Sequence, residues 1–508
     1  MTKKSELIKI AKEHYLDRQV VQLEKAIDFA TKAHAGQKRA SGEPYISHPL
    51  TVAKTLIEWG MDIDSVIAGV LHDTVEDTDV KLDNIKKEFS EDIALLVDGT
   101  TKVSRARSGM KDLSNYLPQT KDNLSKLLIA LGKDIRVLII KLADRLHNLN
   151  TLQYLPPERQ IKVARESLEV FAPMADRLGM GQVRMQIEEK AFNYLDPKEF
   201  KKLKILMKKR LGKSTRKLGK IREEVEKTLK ANSIEHEVNG RIKSVYSLHK
   251  KLAKVDGNID DIYDLMALRI IVNKKEECYL VLSILHSLYK PVIGRIKDYI
   301  STPKPNGYQS LHTTVMTPED QIVEFQIRTH KMHEFAERGL AASFHYHEKK
   351  SSKSYKKGKV MSELPENLKW INELQDVASK LGNNEDVSRD QLNIDIFSNR
   401  IFVYSPKGDI YNLPEGALPL DFAYMVHTDV AKHAQSFKVN GKIHAFDKPL
   451  QNGDIIEVMT SKLSQPKQNW RNLVITSHAR TKLQAQLRKM GMREMISNAA
   501  RIIRRKNR

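Results

Sequence analysis

The stretch Leu71-His72-Asp73-Thr74-Val75-Glu76-Asp77-Thr78 places an imidazole and a carboxylate on adjacent residues. His48 lies upstream and Asp144 downstream, in a region whose apolar spacing predicts helices. Two imidazoles and two carboxylates suit a borderline divalent ion such as Mn²⁺, Fe²⁺ or Zn²⁺. Such an ion with an open coordination position produces hydroxide from water near neutral pH. The pattern therefore predicts a metal-dependent hydrolase in a helical domain.

Each of these side chains also has a structural interpretation. A single histidine is more often structural than a ligand, and Asp144 could lie on an exposed helix face that it shares with Asn148. Glu76 and Asp77 follow the His-Asp pair by one turn, where carboxylates could orient an attacking water or form a surface pair. Arg39 would suit a phosphate substrate beside a metal. The joint pattern favours the hydrolase.

The composition of the 508 residues indicates a large protein with anionic partners. The length predicts about two to four domains. The single cysteine, Cys278, excludes a disulfide framework and Cys-based zinc sites. A polar N-terminus and the lack of long apolar runs predict a cytoplasmic protein without signal peptide or membrane span. The net charge of +22 favours RNA, ribosomes or phosphorylated substrates, and a solvated lysine-rich surface is the alternative.

The spacing of apolar residues divides the chain into segments. Residues 1 to about 195 are predicted to be helical, and a lysine-rich helical connector follows at 198–230. Strands are predicted at 268–272, 311–316 and 323–328. In the strand at 323–328, successive side chains point to opposite faces of the sheet. The apolar face would hold Val323, Phe325 and Ile327, and the polar face Glu324, Gln326 and Arg328.

The C-terminal part changes character again. The charged stretch at 349–360, KKSSKSYKKGKV, predicts a linker, and a helix is expected over 363–385. Short strands separated by turns such as Asn440-Gly441 predict a small β-rich module over 394–460. The tail from Ala479 is expected to be helical and basic.

A second group of chemically suitable residues lies at 295–316, RIKDYISTPKPNGYQSLHTTVM. Gly307 would let the backbone approach a phosphate, the lysines would supply charge, and Tyr308 could stack on a base. No Walker lysine-serine motif is present, so the loop is not a P-loop. Asp264 and Glu324, if brought together, could hold Mg²⁺ on a triphosphate and activate a hydroxyl. A basic surface hairpin is the alternative.

The first group of residues resembles a known family. The stretches HAGQKRASGEPYISHP, LHDTVEDT and KLADRLHNLNTL look like the hydrolase domain of the Rel/SpoT enzymes of guanosine tetra- and pentaphosphate, within the HD phosphohydrolase superfamily. The resemblance implies removal of the 3′-pyrophosphate of the alarmone. It implies that Mn²⁺ is held by His48, His72, Asp73 and Asp144. Glu76 and Asp77 would be catalytic, and Arg39 and Asn148 would contact substrate. Ala40 departs from the usual lysine.

The second group resembles the synthetase domain of the same family. The matching stretches are GRIKSVYSLHKK, DIYDLMALRIIV, DYISTPKPNGYQSLHTTV, EFQIRT and MHEFAERGLAA. The implied reaction is pyrophosphate transfer from ATP to the 3′-hydroxyl of GDP or GTP. Mg²⁺ would be held by Asp264 and Glu324, and Glu324 is also a candidate base. Tyr308 would stack on guanine. The implied substrate contacts are Arg241, Lys243, Arg269, Lys297, Lys304, Asn306, Tyr308 and His312. Ser343 to His347 depart from the family, and altered regulation is the expected consequence.

Residues 400–460 resemble a TGS domain. In the family this module reads the acceptor end of tRNA, with a histidine at the position of His427, and a buried structural histidine is the alternative. Long family members continue into helical, zinc-finger and ACT or RRM-like domains. We expect the zinc-finger and the ACT or RRM-like domains to be missing here or supplied otherwise, because the chain stops at Arg508 within the helical region.

The expected fold class is multidomain α+β with five segments. They are an all-helical HD hydrolase domain at 1–195, a mixed α/β nucleotidyltransferase-like synthetase domain with its basic connector at 196–348, a linker and helix at 349–392, a small β-grasp-like TGS domain at 393–461, and a basic helical tail at 462–508.

The predicted function is that of a bifunctional alarmone enzyme of the stringent response, with ATP, GDP or GTP, and (p)ppGpp as ligands. Uncharged tRNA and the ribosome are the expected macromolecular partners. The alternatives are a tRNA- or ribosome-binding regulator with only the hydrolase active, or one with both catalytic domains degenerate. Two opposed activities need a switch, and an opposed conformational equilibrium coupled through residues 150–230 is the hypothesis.

Overall fold

The computed structural model divides the chain into two compact units, Met1–Asn383 and Asn384–Arg508. The residues that it describes are 4–108, 134–253, 266–304, 306–318, 322–341, 400–476 and 478–490, without the side chains of 102–108, 211–217, 266 and 400.

The first unit begins with a bundle of helices around one almost wholly buried helix, α4. Asp62 starts α4 by accepting a hydrogen bond from the backbone N–H of Ser65 (3.0 Å), which satisfies a donor that the helix itself leaves unpaired. Every residue of α4 except Asp64 is buried. The bundle consists of α1 (Lys4–His14), α2 (Asp17–Ala33), α3 (Ser47–Glu58), α4 (Ile63–Leu71), α5 (Thr74–Asp77), α6 (Leu82–Glu88), α7 (Glu91–Ser108) and α8 (Arg136–Asn150).

A helical connection follows the bundle. It contains a single π-helical turn, Ser167–Phe171, a form that is rare and often marks functional positions. Its last helix is 35 residues long and buries Phe200, Leu203 and Met207 on one face, while its lysines outside 211–217 are exposed. The connection consists of a 3₁₀ turn (Leu152–Tyr154), α9 (Pro157–Glu166), the π turn, α10 (Ala172–Arg177), α11 (Gly181–Leu195) and α12 (Pro197–Ala231).

The rest of the first unit is built on a mixed sheet with the order β1-β2-β6-β5-β3, and β4 pairs with β5. β2 and β6 are parallel, and the other pairs are antiparallel. The strands are β1 (His236–Ile242), β2 (Met266–Val272), β3 (Lys290–Pro291), β4 (Lys297–Asp298), β5 (Leu311–Met316) and β6 (Ile322–Thr329). The helices are α13 (Val245–Leu252), α14 (Lys275–Leu288) and α15 (His330–Arg338).

The helical connection touches the sheet region through a contact between glycines. Gly339, with φ +58°, lies against the backbone of Leu178 and Gly179, and the N–H of Leu340 donates to the carbonyl of Leu178 (2.8 Å). Gly179, with φ +72°, leaves no room for a side chain beside the carbonyl of Asn306. Both positions need a positive φ and a close backbone approach, which only glycine provides without strain.

The second unit has a hairpin, a three-stranded sheet of order β10-β9-β11 and two short helices. They are β7 (Arg400–Tyr404), β8 (Ile410–Pro414), α16 (Pro419–Val426), α17 (Thr428–Lys432), β9 (Ala434–Val439), β10 (Lys442–His444) and β11 (Ile456–Thr460). Its core does not stop at the predicted boundary of residue 461, because Trp470, Val474 and Leu487 are buried in the same cluster. A helix over 478–490 therefore packs against this core instead of forming a free tail.

The predicted fold class is confirmed, and so are the strands at 268–272, 311–316 and 323–328. The apolar side of the last strand lies in the sheet core as the alternation predicts. The predicted linker at 349–360 and helix at 363–385 lie outside the described residues. The five domain boundaries stay predictions.

Candidate functional site

Three helical segments bring the four predicted metal ligands of the hydrolase region together. His48 stands in the first turn of α3, His72 and Asp73 follow the end of α4, and Asp144 lies in the middle of α8. His48 Nε2 lies 3.3 Å from Asp144 Oδ1 and 3.5 Å from Asp73 Oδ2. His72 Nε2 lies 3.1 Å from Asp73 Oδ1. All four residues are buried.

The donor atoms of this cluster fit a divalent cation. His72 Nδ1 lies 2.8 Å from the carbonyl oxygen of Gly69, which fixes its hydrogen there and leaves the lone pair on Nε2. That Nε2 is buried without a hydrogen-bond partner and faces carboxylate oxygens, which also accept. Acceptors that converge in a buried site need a cation between them. Ligand atoms of His48, His72 and Asp144 lie within 4.8 Å of one another, so the residues can hold a divalent metal.

Polar neighbours hold the carboxylate of Asp144 in its charged form. The Lys141 ammonium lies 2.7 Å from Asp144 Oδ2, and the Asn148 amide donates to Oδ1 (2.5 Å). Burial alone would raise the pKa of Asp144, but the Lys141 charge and the two imidazoles keep it well below its usual range. The predicted helix face shared by Asp144 and Asn148 is therefore real, and it is turned inward.

A cleft of about 610 Å³ opens beside the cluster. The predicted residues Arg39, Glu76, Asp77 and Asn148 all line it, and Arg39 donates to the amide oxygen of Asn148 (2.9 Å). Ala40 lines it too. A cleft that offers cationic side chains such as Arg39 next to a possible divalent-metal site suits a phosphorylated substrate.

Sequence reasoning missed four residues of this region. Arg159 and Lys162 line the cleft, and their spacing of three on α9 was the available signal. His147 contacts His48 through their Nδ1 atoms (2.8 Å). Burial and the neighbouring positive groups lower the pKa of His147 to about 3. Tyr45 places its hydroxyl 2.9 Å from Asp73 Oδ2.

The second predicted site lies on the polar face of the mixed sheet. His312 on β5 has Nδ1 3.0 Å from Glu324 Oε1 on β6, and the Tyr308 hydroxyl lies 2.9 Å from His312 Nε2. Burial alone would raise the pKa of Glu324, but the His312 hydrogen bond and charge, with the charge of Lys243, lower it to about 2. Lys297 on β4 stands opposite His312 in the strand register.

Three arginines make this face strongly positive. Arg241 donates to Gln326 Oε1 (2.9 Å), and Arg269 pairs with Glu337 (3.1 Å). Arg328, which sequence reasoning placed on this face without a role, is only 1% exposed. Burial and the charges of the other two arginines lower its pKa to about 10. The Nε atoms of all three are buried without a hydrogen-bond partner. Because an unpaired buried donor is costly, this face fits an anionic ligand that would accept from them.

The loop before β5 carries the remaining predicted contacts. The Lys304 ammonium lies over the rings of Tyr299 (4.7 Å) and Tyr308 (5.0 Å). Asn306 is turned toward the helical connection, where its amide donates to the carbonyl of Asp176 (3.2 Å). Tyr308 is half-buried, and its ring also faces Arg328 (5.5 Å). The loop is thus fixed on one side by the helical connection.

Two predicted features of this site lie outside the described residues. They are Asp264, the second expected metal ligand, and the departure at 343–347. Glu324 is therefore the one predicted Mg²⁺ ligand at this site that the structure describes.

His427 of the second unit is exposed, with 65% of its side chain accessible, so the alternative of a buried structural histidine is wrong. Its Nδ1 accepts a hydrogen bond from the backbone N–H of Asp429 (3.2 Å) and caps α17. Among the helices that the structure describes, none has the length and apolar composition of a membrane-spanning segment.

Three family models match the chain. They are an HD domain at residues 26–181, the region found in RelA and SpoT proteins at 240–351, and a TGS domain at 401–460. The chain is 40% identical over 489 residues to a guanosine-3′,5′-bis(diphosphate) 3′-pyrophosphohydrolase of Aquifex aeolicus, with 95% of this chain and 67% of that protein covered. The chain belongs to the RelA/SpoT family.

Other RelA/SpoT relatives carry either or both activities in their names. The chain is 41% identical to a probable guanosine-3′,5′-bis(diphosphate) 3′-pyrophosphohydrolase of Synechocystis, over 90% of this chain and 59% of that protein. It is 38% identical to a bifunctional (p)ppGpp synthase/hydrolase of Mycobacterium tuberculosis, over 94% of this chain and 64% of that protein. The chain thus spans about three fifths to two thirds of the length of these relatives.

Proposed function

We propose that this RelA/SpoT family member is bifunctional: it makes (p)ppGpp from ATP and GDP or GTP, and it hydrolyses the 3′-pyrophosphate of (p)ppGpp. The observation that carries the proposal is the presence, in one compact unit, of two separate sites with different chemistry. One site can hold a divalent metal in a cleft, and the other is an arginine-rich sheet face beside a carboxylate. One relative is named for the hydrolysis and another for both reactions, and these names support the same proposal.

In the hydrolase site, we assign Mn²⁺ to His48, His72, Asp73 and Asp144. When bound, such an ion lowers the pKa of a coordinated water and so supplies hydroxide at neutral pH. Hydrolysis would add one water across the bond between the 3′-oxygen and its phosphorus, which frees the 3′-hydroxyl and releases pyrophosphate. Glu76 and Asp77, at the rim of the cleft, are the candidates to take the proton of the water and return one to the 3′-oxygen.

Substrate binding at this site would depend on positive charge and hydrogen-bond donors. Arg39 and Asn148 already contact each other in the cleft, so one can orient the other toward a phosphate or ribose oxygen. Arg159 and Lys162 line the same cleft and extend its positive charge. Because alanine offers no charge, Ala40 leaves Arg39 to carry the phosphate contact at this turn.

In the synthetase site, the 3′-hydroxyl of GDP or GTP attacks the β-phosphorus of ATP, and AMP leaves. Asp264 and Glu324 are the proposed holders of Mg²⁺, and Glu324 is also the proposed acceptor of the hydroxyl proton. Such a transfer depends mainly on positioning and on neutralising phosphate charge. Those roles fall to the cations of the face and its loop, namely Arg241, Lys243, Arg269, Lys297, Lys304 and Arg328.

The guanine side of this site is proposed to lie on the loop before β5. Tyr308 would stack on the base, with Lys304 and Arg328 on its own ring adding positive charge. His312, between Tyr308 and Glu324, would contact phosphate or ribose. Asn306 stays a predicted nucleotide contact, although its amide now faces Asp176.

Two assays on the purified chain test the proposal. Labelled ATP with GDP and Mg²⁺ should give ppGpp and AMP, and labelled ppGpp with Mn²⁺ should give GDP and pyrophosphate. Product in the second tube alone would leave only the hydrolase active. No product in either tube would remove both activities from the chain.

The macromolecular partners are a separate proposal. We infer that the second unit contacts uncharged tRNA through the exposed His427, and the ribosome stays a predicted partner. Because ATP and GTP are cytoplasmic metabolites, the cytoplasm stays the predicted location.

Binding of deacylated tRNA should weaken steeply as salt rises, since Lys and Arg contacts release counterions from phosphates. His427→Ala should weaken it further at one fixed salt concentration, whereas equal binding by the variant would remove this contact.

A further inference from the structure

The hydroxyl of Tyr45 lies between two carboxylates of the hydrolase site. It is 2.9 Å from Asp73 Oδ2 and 2.7 Å from Asp77 Oδ2. Asp73 belongs to the metal cluster, and Asp77 lines the cleft at its rim. Tyr45 is thus a side chain that touches a proposed metal ligand and a proposed catalytic carboxylate at once.

The ring of Tyr45 is fixed by the turn in which it stands. It stacks on the ring of His34, with 4.6 Å between centroids and 21° between planes. Gln37 accepts a hydrogen bond from His34 Nδ1 through its side-chain oxygen Oε1 (2.7 Å), and its backbone carbonyl accepts from the N–H of Tyr45 (3.0 Å). The same Gln37 donates its side-chain N–H to the backbone carbonyl of Asp77 (2.8 Å). The turn therefore holds both Tyr45 and the segment that carries Asp77.

A neutral phenol has one hydrogen, and here two carboxylate oxygens compete for it. A cation held by the cluster would engage the carboxylate of Asp73 and weaken its hydrogen bond with Tyr45. The hydroxyl would then donate to Asp77 and hold that carboxylate in one orientation beside the cleft. Filling of the metal site and orientation of Asp77 would therefore be linked through one hydroxyl.

We propose that Tyr45 is a positioning residue that couples the metal-binding carboxylate of Asp73 to the orientation of Asp77. The proposal rests on the proposed hydrolase function. Side chains that hydrogen-bond to metal ligands commonly affect metal affinity or activity by about 10- to 100-fold. Here the effect should fall on turnover, because Asp73 keeps its place beside the imidazoles without Tyr45.

The test is Tyr45→Phe in the full chain, which removes the hydroxyl and keeps the ring stacked on His34. We expect kcat for ppGpp hydrolysis to fall about 10- to 100-fold at saturating Mn²⁺. KM should change less than about twofold, and Mn²⁺ affinity by calorimetry less than about threefold, below the range of about 10- to 100-fold known for lost hydrogen bonds to metal ligands. The matched control is Tyr194→Phe, whose hydroxyl contacts Gln153 (3.5 Å), and it should change none of these values. Synthesis of (p)ppGpp by the same molecules reports that the fold is intact.

Three results would overturn the coupling. They are unchanged kcat, a loss of hydrolysis that excess Mn²⁺ restores, or an equal loss in Tyr194→Phe. Crystal structures of the Mn²⁺-loaded wild type and Tyr45→Phe decide the same question without turnover. The Asp77 carboxylate should leave its wild-type position in the variant while Asp73 stays on the metal, and an unmoved Asp77 would contradict the proposal. If the wild type shows the coupled geometry but no hydrolysis, the proposed function fails and the coupling stands.

Discussion

At the scale of single residues, the proposed hydrolase site is dominated by charged groups that are buried beside one another. Lys141 and Asp144 are both almost fully buried and lie 2.7 Å apart. Removing one partner of such a pair leaves an uncompensated buried charge, which costs far more than an exposed pair contributes. Lys141 thus compensates the carboxylate of Asp144 on the side away from the imidazoles.

Asp64 offers a test at this scale that is independent of any activity. Burial first, and the neighbouring Asp62 second, raise its pKa from 3.8 to about 6. A carboxyl whose pKa is raised by folding binds more protons in the folded state, so its ionisation lowers stability as pH rises from about 4 to 6. Asp64→Asn removes this titration. Relative to wild type, the variant should gain at most about 3 kcal/mol at pH 8 and about half of that at pH 5.

Equilibrium urea unfolding of both proteins at the two pH values measures the gain. Asp83→Asn, on the exposed first turn of α6, is the control and should show a gain near zero at either pH. A gain for Asp64→Asn that grows as pH falls would contradict the raised pKa.

The sequence could supply the ligand types of the metal cluster but not their outer contacts. The spacing His72-Asp73 and the helix face of Asp144 and Asn148 follow from local periodicity. The contact of His147 with His48 joins residues 99 positions apart, and that of Tyr45 with Asp73 joins residues 28 apart. Such contacts depend on how helices pack, and no local pattern encodes them.

At the scale of elements, the glycine contact between α10–α11 and the end of α15 provides a prediction. A methyl group at Gly339 would overlap the carbonyl oxygen of Leu178, and φ +58° is costly for alanine. Gly339→Ala should therefore destabilise the first unit by about 2 kcal/mol or more. The matched control is Gly219→Ala within α12, where nothing lies within 4 Å of the new methyl group. It should stabilise by up to about 1 kcal/mol, because alanine favours the helix.

Thermal unfolding of the two variants beside wild type checks these opposite signs. A midpoint for Gly339→Ala at or above that of wild type would show that the close approach of Leu178 and Gly339 is not required.

Elements with a clear period were predictable, and those defined by tertiary packing were not. β6 shows the first case, since Val323, Phe325 and Ile327 enter the core as their alternation predicts. The segment after β11 shows the second case. Trp470 is surrounded by polar and basic residues in sequence, so it reads as part of a tail, yet it is only 4% exposed because the β-rich module leaves an apolar face for it.

For the whole molecule, the first unit joins the two proposed sites through one run of helices. Arg145, next to Asp144, pairs with Glu166 (2.9 Å) and lies over the ring of Phe171 (4.2 Å) in the π turn. The same run continues to Leu178 and Asp176, which contact the loop and helix of the sheet region. This is a physical connection within the predicted coupling segment of residues 150–230. A linked equilibrium between the two sites stays a hypothesis, because contact alone does not demonstrate coupling.

The central claim is that one chain carries two separate catalytic sites, and the most direct measurement is a reciprocal loss of activity. Asp73→Ala and Glu324→Gln are made in the full chain, and both reactions are measured for each. Asp73→Ala should lose hydrolysis on the order of a thousandfold, equivalent to about 4 kcal/mol of transition-state stabilisation, and keep synthesis within about twofold. Glu324→Gln should show the reverse. Loss of both reactions in either variant would contradict two separate sites.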